Sequence, residues 1–189
     1  MKVLIACEYS GIVRDAFTST GHNAISCDLI ESTSPGQHII GDAIEIIYSE
    51  SWDMIIAHPP CTFLCKAQIW RCLQDKERMK LQVKAIEFVK LIYNSKCALI
   101  AIENPIGALT KGFKPPDQII YPWYFGDPHT KEICLWLKGL PPLISTVYST
   151  KRQPISNHTN GRMSPGQKSK IRSRFFPLVA QAMANQWNY

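Results

Sequence analysis

Asp53-Met54-Ile55-Ile56-Ala57-His58-Pro59-Pro60-Cys61 is the stretch from which the fold is read. Four consecutive apolar residues cannot turn alternate side chains to water, so the run reads as a strand buried on both faces. Two prolines then hold the chain extended and remove two backbone donors, so a stiff loop follows. Working outward, Lys2 to Cys7 and Cys97 to Ile102 have the same character, and His22 to Cys27 reads as a further strand. Between them, Gly11 to Thr20 reads as a short helix closed by Gly21. Asp75 to Asn94 reads as a long helix, capped by Asp75, with Met79, Val83, Ile86, Val89 and Ile92 recurring at three- and four-residue steps. Repeated strand–helix–strand order with doubly buried strands predicts an α/β fold: a doubly wound, mostly parallel sheet with helices on both faces. Further on, Ile133 to Leu137 reads as a strand stopped by Pro141-Pro142, and Leu178 to Trp187 as a terminal helix with Pro177 near its first turn.

Length and charge bound what such a fold can be. The chain has 189 residues, 46% hydrophobic and 19% charged, which excludes collagenous, low-complexity and wholly disordered classes. We read residues 1–189 as one domain, with 141–174 a basic, irregular insertion within it. The longest apolar run, Cys97 to Ile102, is far below the roughly 20 residues of a membrane span. Glu8 interrupts the N-terminal apolar run before a signal-peptide core forms. The expectation is a cytoplasmic protein with no membrane partner. The net charge is +6, yet Ile133 to Tyr189 holds eight Lys and Arg and no acid. Seven of those eight lie between Lys151 and Arg174. This asymmetry is either the footprint of a polyanion site or a solubilising tail. Seven cysteines at irregular spacings imply free thiols in a reducing compartment. Cys7, Cys27, Cys97 and Cys134 read as packing residues.

In an open parallel sheet, ligands bind beyond the carboxyl ends of the strands. Chemistry-bearing residues stand there in series: Glu8-Tyr9-Ser10-Gly11, Asp28, Asp42, His58-Pro59-Pro60-Cys61 and Glu103-Asn104-Pro105. The first turn suits a nucleotide-type ligand, but it carries no G-x-G-x-x-G phosphate fingerprint. Asp28 stands where an acid can take a ribose hydroxyl, or where it can simply cap a helix. Cys61, on its rigid loop, is a candidate nucleophile; a helix starting nearby is expected to lower its pKa, with Lys66 in support. Two readings compete with that one. Cys61, Cys65 and Cys72 with His58 could ligate zinc, although their spacing matches no usual knuckle, and an inert thiol is the other. Glu103, at the mouth of a buried strand, needs a partner or a task. A cysteine on the neighbouring strand end offers one.

In this order, these residues resemble the cytosine-C5 DNA methyltransferase family, over most of the chain. Val3 to Gly11 is similar to its first motif, and Trp52 to Cys61 to its Pro-Cys nucleophile motif. Ile102-Glu103-Asn104-Pro105 is similar to its Glu-Asn motif, and Phe175 to Trp187 to its last helix. The resemblance implies a Rossmann-like fold of the S-adenosylmethionine-dependent methyltransferase type, with S-adenosylmethionine as methyl donor. It implies Cys61, Glu103 and Asn104 as catalytic residues acting on a flipped cytosine. It also implies Glu8, Tyr9, Ser10, Gly11, Asp28, Asp42 and Pro59 as donor-binding residues, Asp28 at the ribose and Asp42 at the adenine. His58 stands where the family usually has glycine. The family's arginine-rich motif is missing, so Thr130-Lys131 or Arg152 would have to substitute. Only about thirty residues separate Leu140 from Ile171, too few for a separate target-recognition domain of common size. The short form resembles a phage or prophage version, with specificity relaxed or lent by a protein partner or oligomerisation.

The expected partner is DNA, held by Lys131, Lys151, Arg152, Arg162, Lys168, Lys170, Arg172 and Arg174. Two alternatives remain open from the sequence. One is a catalytically silent nucleic-acid-binding protein on the same fold, with Trp70, Trp123, Tyr124 and Phe125 as stacking surfaces, at least half of which we expect to be core filling. The other is an enzyme acting on free pyrimidine nucleotides.

Overall fold

A computed structural model describes residues 1–150, 152–154, 164 and 174–189. Its centre is a seven-stranded sheet formed by β1 (Lys2–Ala6), β2 (Asn23–Asp28), β3 (His38–Ile40), β4 (Met54–Ala57), β5 (Leu99–Asn104), β6 (Gln118–Ile120) and β7 (Ile133–Lys138). The spatial order is β3-β2-β1-β4-β5-β7-β6. The first five strands pair in parallel, whereas β7 is antiparallel to both β5 and β6. The order departs from the doubly wound dinucleotide-binding pattern by one reversed strand inserted before the edge.

Alternation along each strand feeds two cores. Val3 and Ile5 of β1 face one way and pack with α1 (Ile12–Ser19) and the terminal helix; Leu4 and Ala6 face the other way. Both sets are fully buried, as a sheet covered on two faces requires. The second face is covered by α2 (Ala43–Ser49) and by the C-terminal half of α4 (Lys76–Tyr93). Between β4 and α4 lie a 3₁₀ turn, Cys61–Phe63, and α3 (Lys66–Gln74). After β5 come α5 (Leu109–Gly112) and the 3₁₀ turn Pro122–Tyr124. The terminal helix, α6 (Pro177–Gln186), starts on proline and packs against α1.

Asp75 caps α4 as expected, its carboxylate accepting from Glu77 N at 2.9 Å and Arg78 N at 3.2 Å. The predicted apolar stripe of that helix needs correction. Val89 and Ile92 are buried, but Met79 and Val83 are exposed. Eighteen residues of helix span about 27 Å, whereas the six residues of β5 span about 20 Å. The first turns therefore overrun the sheet and pack beside α3 instead. The fifth strand is also displaced from its predicted bounds, beginning at Leu99 and taking in Glu103 and Asn104. Strand β3 and helices α2 and α3 are too short or too weakly patterned to have been placed from sequence. No helix among the described residues is long and apolar enough to cross a membrane.

Candidate active site

Strand order reverses between β1 and β4, and two adjoining cavities open at their carboxyl ends. One, of about 330 Å³, is walled by Leu29, Pro59, Pro60, Phe63, Ala85 and Phe88, with Asp28 and Asp42 at its polar side. The other, of about 260 Å³, brings together Glu8, Tyr9, Ser10, His58, Cys61, Glu103, Asn104, Lys131 and Phe175. Cys7, Asp28, Pro59, Pro60 and Thr62 line both.

The turn after β1 is built around a buried acid. Cys7 adopts φ 59°, a left-handed conformation that non-glycine residues rarely take outside tight functional turns. Glu8 is thereby turned beneath α1, where its carboxylate accepts from Val13 N at 2.7 Å, Arg14 N at 3.2 Å and the Ser10 hydroxyl at 3.1 Å. The α1 amides that might have held a phosphate are thus already paired with a fixed anion. Gly11, φ 75°, borders neither cavity; a side chain there would strike the Arg14 guanidinium. Arg14 is itself buried and donates to Ser26 Oγ, Ser32 Oγ and the Ser34 and Pro35 carbonyls, fastening the β2–β3 loop. Asp28 accepts from Ile30 N at a long 3.4 Å, while Asp42 caps α2 through Ile44 N at 2.7 Å.

The loop after β4 is fixed from β5. Asn104 Nδ2 donates to the Pro59 carbonyl at 2.7 Å. Farther along, Ala108 N donates to Leu64 O at 2.7 Å and Lys66 N to Ile106 O at 3.0 Å. Gly107 permits this approach, because a Cβ would collide with Leu64 O. Cys61 starts the 3₁₀ turn and is exposed. Its thiol is raised, contrary to the sequence expectation. Desolvation by surrounding protein is the main cause, followed by Cys65, against which Lys131 pulls downward. The opposing cation is thus Lys131, from the loop before β7, and not Lys66.

Glu103 lies beside the Cys61 loop because β4 and β5 are adjacent, Ala57 pairing with Ile102. Its side chain is 10% exposed; His58 Nδ1 lies 3.3 Å from Oε2 and Lys131 Nζ 3.8 Å from Oε1. Burial pushes the carboxyl up, but Lys131 and His58 together outweigh it and hold the group below the usual carboxylate range.

No protein-family model matches this chain, and no curated protein matches it by sequence. Among solved structures, this chain is similar to the methyltransferase EhMeth of Entamoeba histolytica, with a TM-score of 0.52 and 14% sequence identity. The match covers 87% of this chain and 61% of that one, so this chain spans less than two thirds of its length. The fold is the Rossmann-like fold of a methyltransferase.

On this methyltransferase fold, the residues expected from sequence are distributed unevenly. Cys61, Glu103 and Asn104 share the second cavity with Glu8, Tyr9, Ser10, Asp28 and Pro59, while Asp42 borders only the first. Of the expected nucleic-acid residues, Lys131 is inside the second cavity, Arg152 sits 3.9 Å over the Trp123 ring, and Arg174 is exposed. Lys151, Arg162, Lys168, Lys170 and Arg172 lie outside the described residues. Phe125 is core, Trp70 is exposed, and Trp123 and Tyr124 are half-buried. Cys72 is buried in α3, and among the described residues no three of His, Cys, Asp and Glu gather as a metal site. Cys27 and Cys134 are buried thiols pushed up to about 11 and about 12, chiefly by desolvation. Cys97 is likewise buried, and Cys7 is half-buried at the mouth of both cavities. Leu29, Thr62, Phe63 and Phe88 wall the cavities without any sequence signal: Leu29 follows β2, Thr62 and Phe63 lie in the 3₁₀ turn, and Phe88 stands within α4 off its apolar stripe.

Proposed function

We propose that this protein is an S-adenosylmethionine-dependent methyltransferase that methylates C5 of a cytosine flipped out of DNA. The observation that carries the reading is the joining of two cavities. One has apolar walls and two carboxylates; the other places a thiol and a buried carboxyl at adjacent strand ends. The donor set suits the cofactor. Asp28 and Asp42 would hold a ribose diol and an adenine edge between apolar walls. Glu8 blocks the helix site that a phosphate needs and favours a positively charged ligand without phosphate. When bound, the donor supplies a methyl group activated on a sulfonium.

The chain's residues do the rest. The Cys61 thiolate forms a bond to C6 of the ring and the C5–C6 electron pair becomes available at C5, while N3 takes a proton from water and donates it in a hydrogen bond to the ionised Glu103 carboxylate. Asn104 acts one step back, holding the Pro59 carbonyl and with it the direction of Cys61. Once C5 is methylated, its proton passes to water acting as base, the C–H electron pair restores the C5–C6 double bond, and the carbon–sulfur bond breaks to release the Cys61 thiolate. Lys131, beside Glu103, stabilises negative charge on that edge.

The test is incubation of DNA with a methyl-labelled donor, followed by nucleoside analysis. We expect label in 5-methylcytosine, and at least about a thousandfold loss in Cys61→Ser with an unchanged circular dichroism spectrum. Full activity in Cys61→Ser would refute the nucleophile. The raised Cys61 thiol favours a second reading, a silent nucleic-acid-binding protein. Calorimetry that detects no donor binding while DNA still binds would select it.

A further inference from the structure

His58 is arranged in a way that the proposed reaction does not by itself require. Its ring ends β4, packs against Phe175 with centroids 4.8 Å apart, and places Nδ1 3.3 Å from Glu103 Oε2. The side chain is 11% exposed, and Nε2 is buried with no hydrogen-bond partner among the described residues. Among the same residues Glu103 Oε1 is likewise buried without a hydrogen bond, and Lys131 Nζ lies 3.8 Å from it.

These contacts decide which way the hydrogen bond runs. A carboxylate oxygen can only accept, so the contact with Oε2 puts the donor on Nδ1. The other charged side chains that line the cavity are Glu8, Asp28 and Lys131. Glu8 is held by α1 amides, and Lys131 stands beside the other Glu103 oxygen.

We propose that His58 is a positioning residue that donates Nδ1–H to Glu103 Oε2 and so holds the carboxyl with Oε1 beside Lys131, the oxygen left for the substrate. Only this last clause rests on the reading of the cavity as a base pocket. The restriction follows from valence: with Oε2 engaged by His58, one oxygen and one edge remain for a ligand. A carboxyl free to rotate would offer either oxygen.

Imidazole nitrogen spectra of the whole protein labelled at histidine test this directly, with His58 assigned from His58→Asn. The expected signal is a ring with a proton on Nδ1. A ring protonated at Nε2 alone overturns the proposal whether or not the protein methylates DNA. Activity supplies the second arm. His58→Ala lowers kcat about tenfold or more with little change in KM. His58→Asn restores most of that loss, because its amide nitrogen can replace the Nδ1 donor. Wild-type activity in His58→Ala, or equal losses in both variants, also overturns it. Expected spectra from a protein that methylates nothing would instead refute the proposed function and leave His58 where we place it.

Discussion

At the scale of the residue, the question is how Cys61 becomes a thiolate. Desolvation, Cys65 and Glu103 all raise its pKa, and Lys131 is the cation that opposes them. The sign follows: a thiol raised above its ordinary value carries less thiolate near neutrality and gains reactivity as pH rises through that higher pKa. We expect alkylation of Cys61 by iodoacetamide, followed by peptide mass spectrometry, to keep rising with pH past about 9. Lys131→Met should slow it about fivefold at fixed pH, from roughly 1 kcal/mol of charge interaction at a partly wet site. An unchanged rate would show that Lys131 does not act on the thiol. A bound substrate edge would exclude water and strengthen the same interaction, which gives Lys131 a larger effect on turnover than on alkylation.

At the scale of the element, two loops carry the chemistry and one glycine lets them meet. The segment after β5 hydrogen-bonds to the loop that follows Cys61, and Gly107 has no Cβ to hold the two apart. In Gly107→Ala the added methyl meets a backbone carbonyl, which cannot swing aside as a side-chain tip can. We expect overpacking of about 1–3 kcal/mol, seen as a Tm lowered by roughly 3–10 °C. Label incorporation should fall at least about tenfold below the melting range, because Cys61 is displaced by the same contact. An unshifted melt with full incorporation would mean that the loops do not constrain one another. The β2–β3 loop is fastened differently, through the buried Arg14 guanidinium and two carbonyls. Arg14 thus brings a charge from α1 to a loop that its own residues tie through the Ser32–Ser34 hydrogen bonds and the contact of His38 with the Ile30 carbonyl.

At the scale of the whole molecule, charge is segregated along the chain. Acids gather at the strand ends, while every basic residue after Lys138 lies between Lys151 and Arg174. If that segment holds phosphates, DNA binding must weaken steeply with salt. A log–log slope of roughly −3 to −6 is expected for four to six neutralised phosphates. Neutralising Lys168, Lys170 and Arg172 together should reduce its magnitude by about 3. A flat salt dependence would instead point to a small pyrimidine nucleotide as the substrate.

The sequence by itself determined the strands β1, β2, β4, β5 and β7 and the helices α1, α4 and α6, because doubly buried strands need apolar runs such as Met54 to Ala57. It also marked Cys61 and Glu103, because an acid or thiol at a strand end is costly without a task. What it could not determine was which of these residues meet. That depends on β4 lying beside β5, a pairing made by residues more than forty positions apart. The same adjacency placed His58 on Glu103 and, with β7 reversed beside β5, brought in Lys131, which the sequence places among the basic, DNA-facing residues and as a stand-in for the missing arginine. It also raised the Cys61 thiol that local reasoning expects to be lowered. Strand identity is local, written in runs of four to six residues; charge coupling in a cavity is a property of side chains brought together by the sheet.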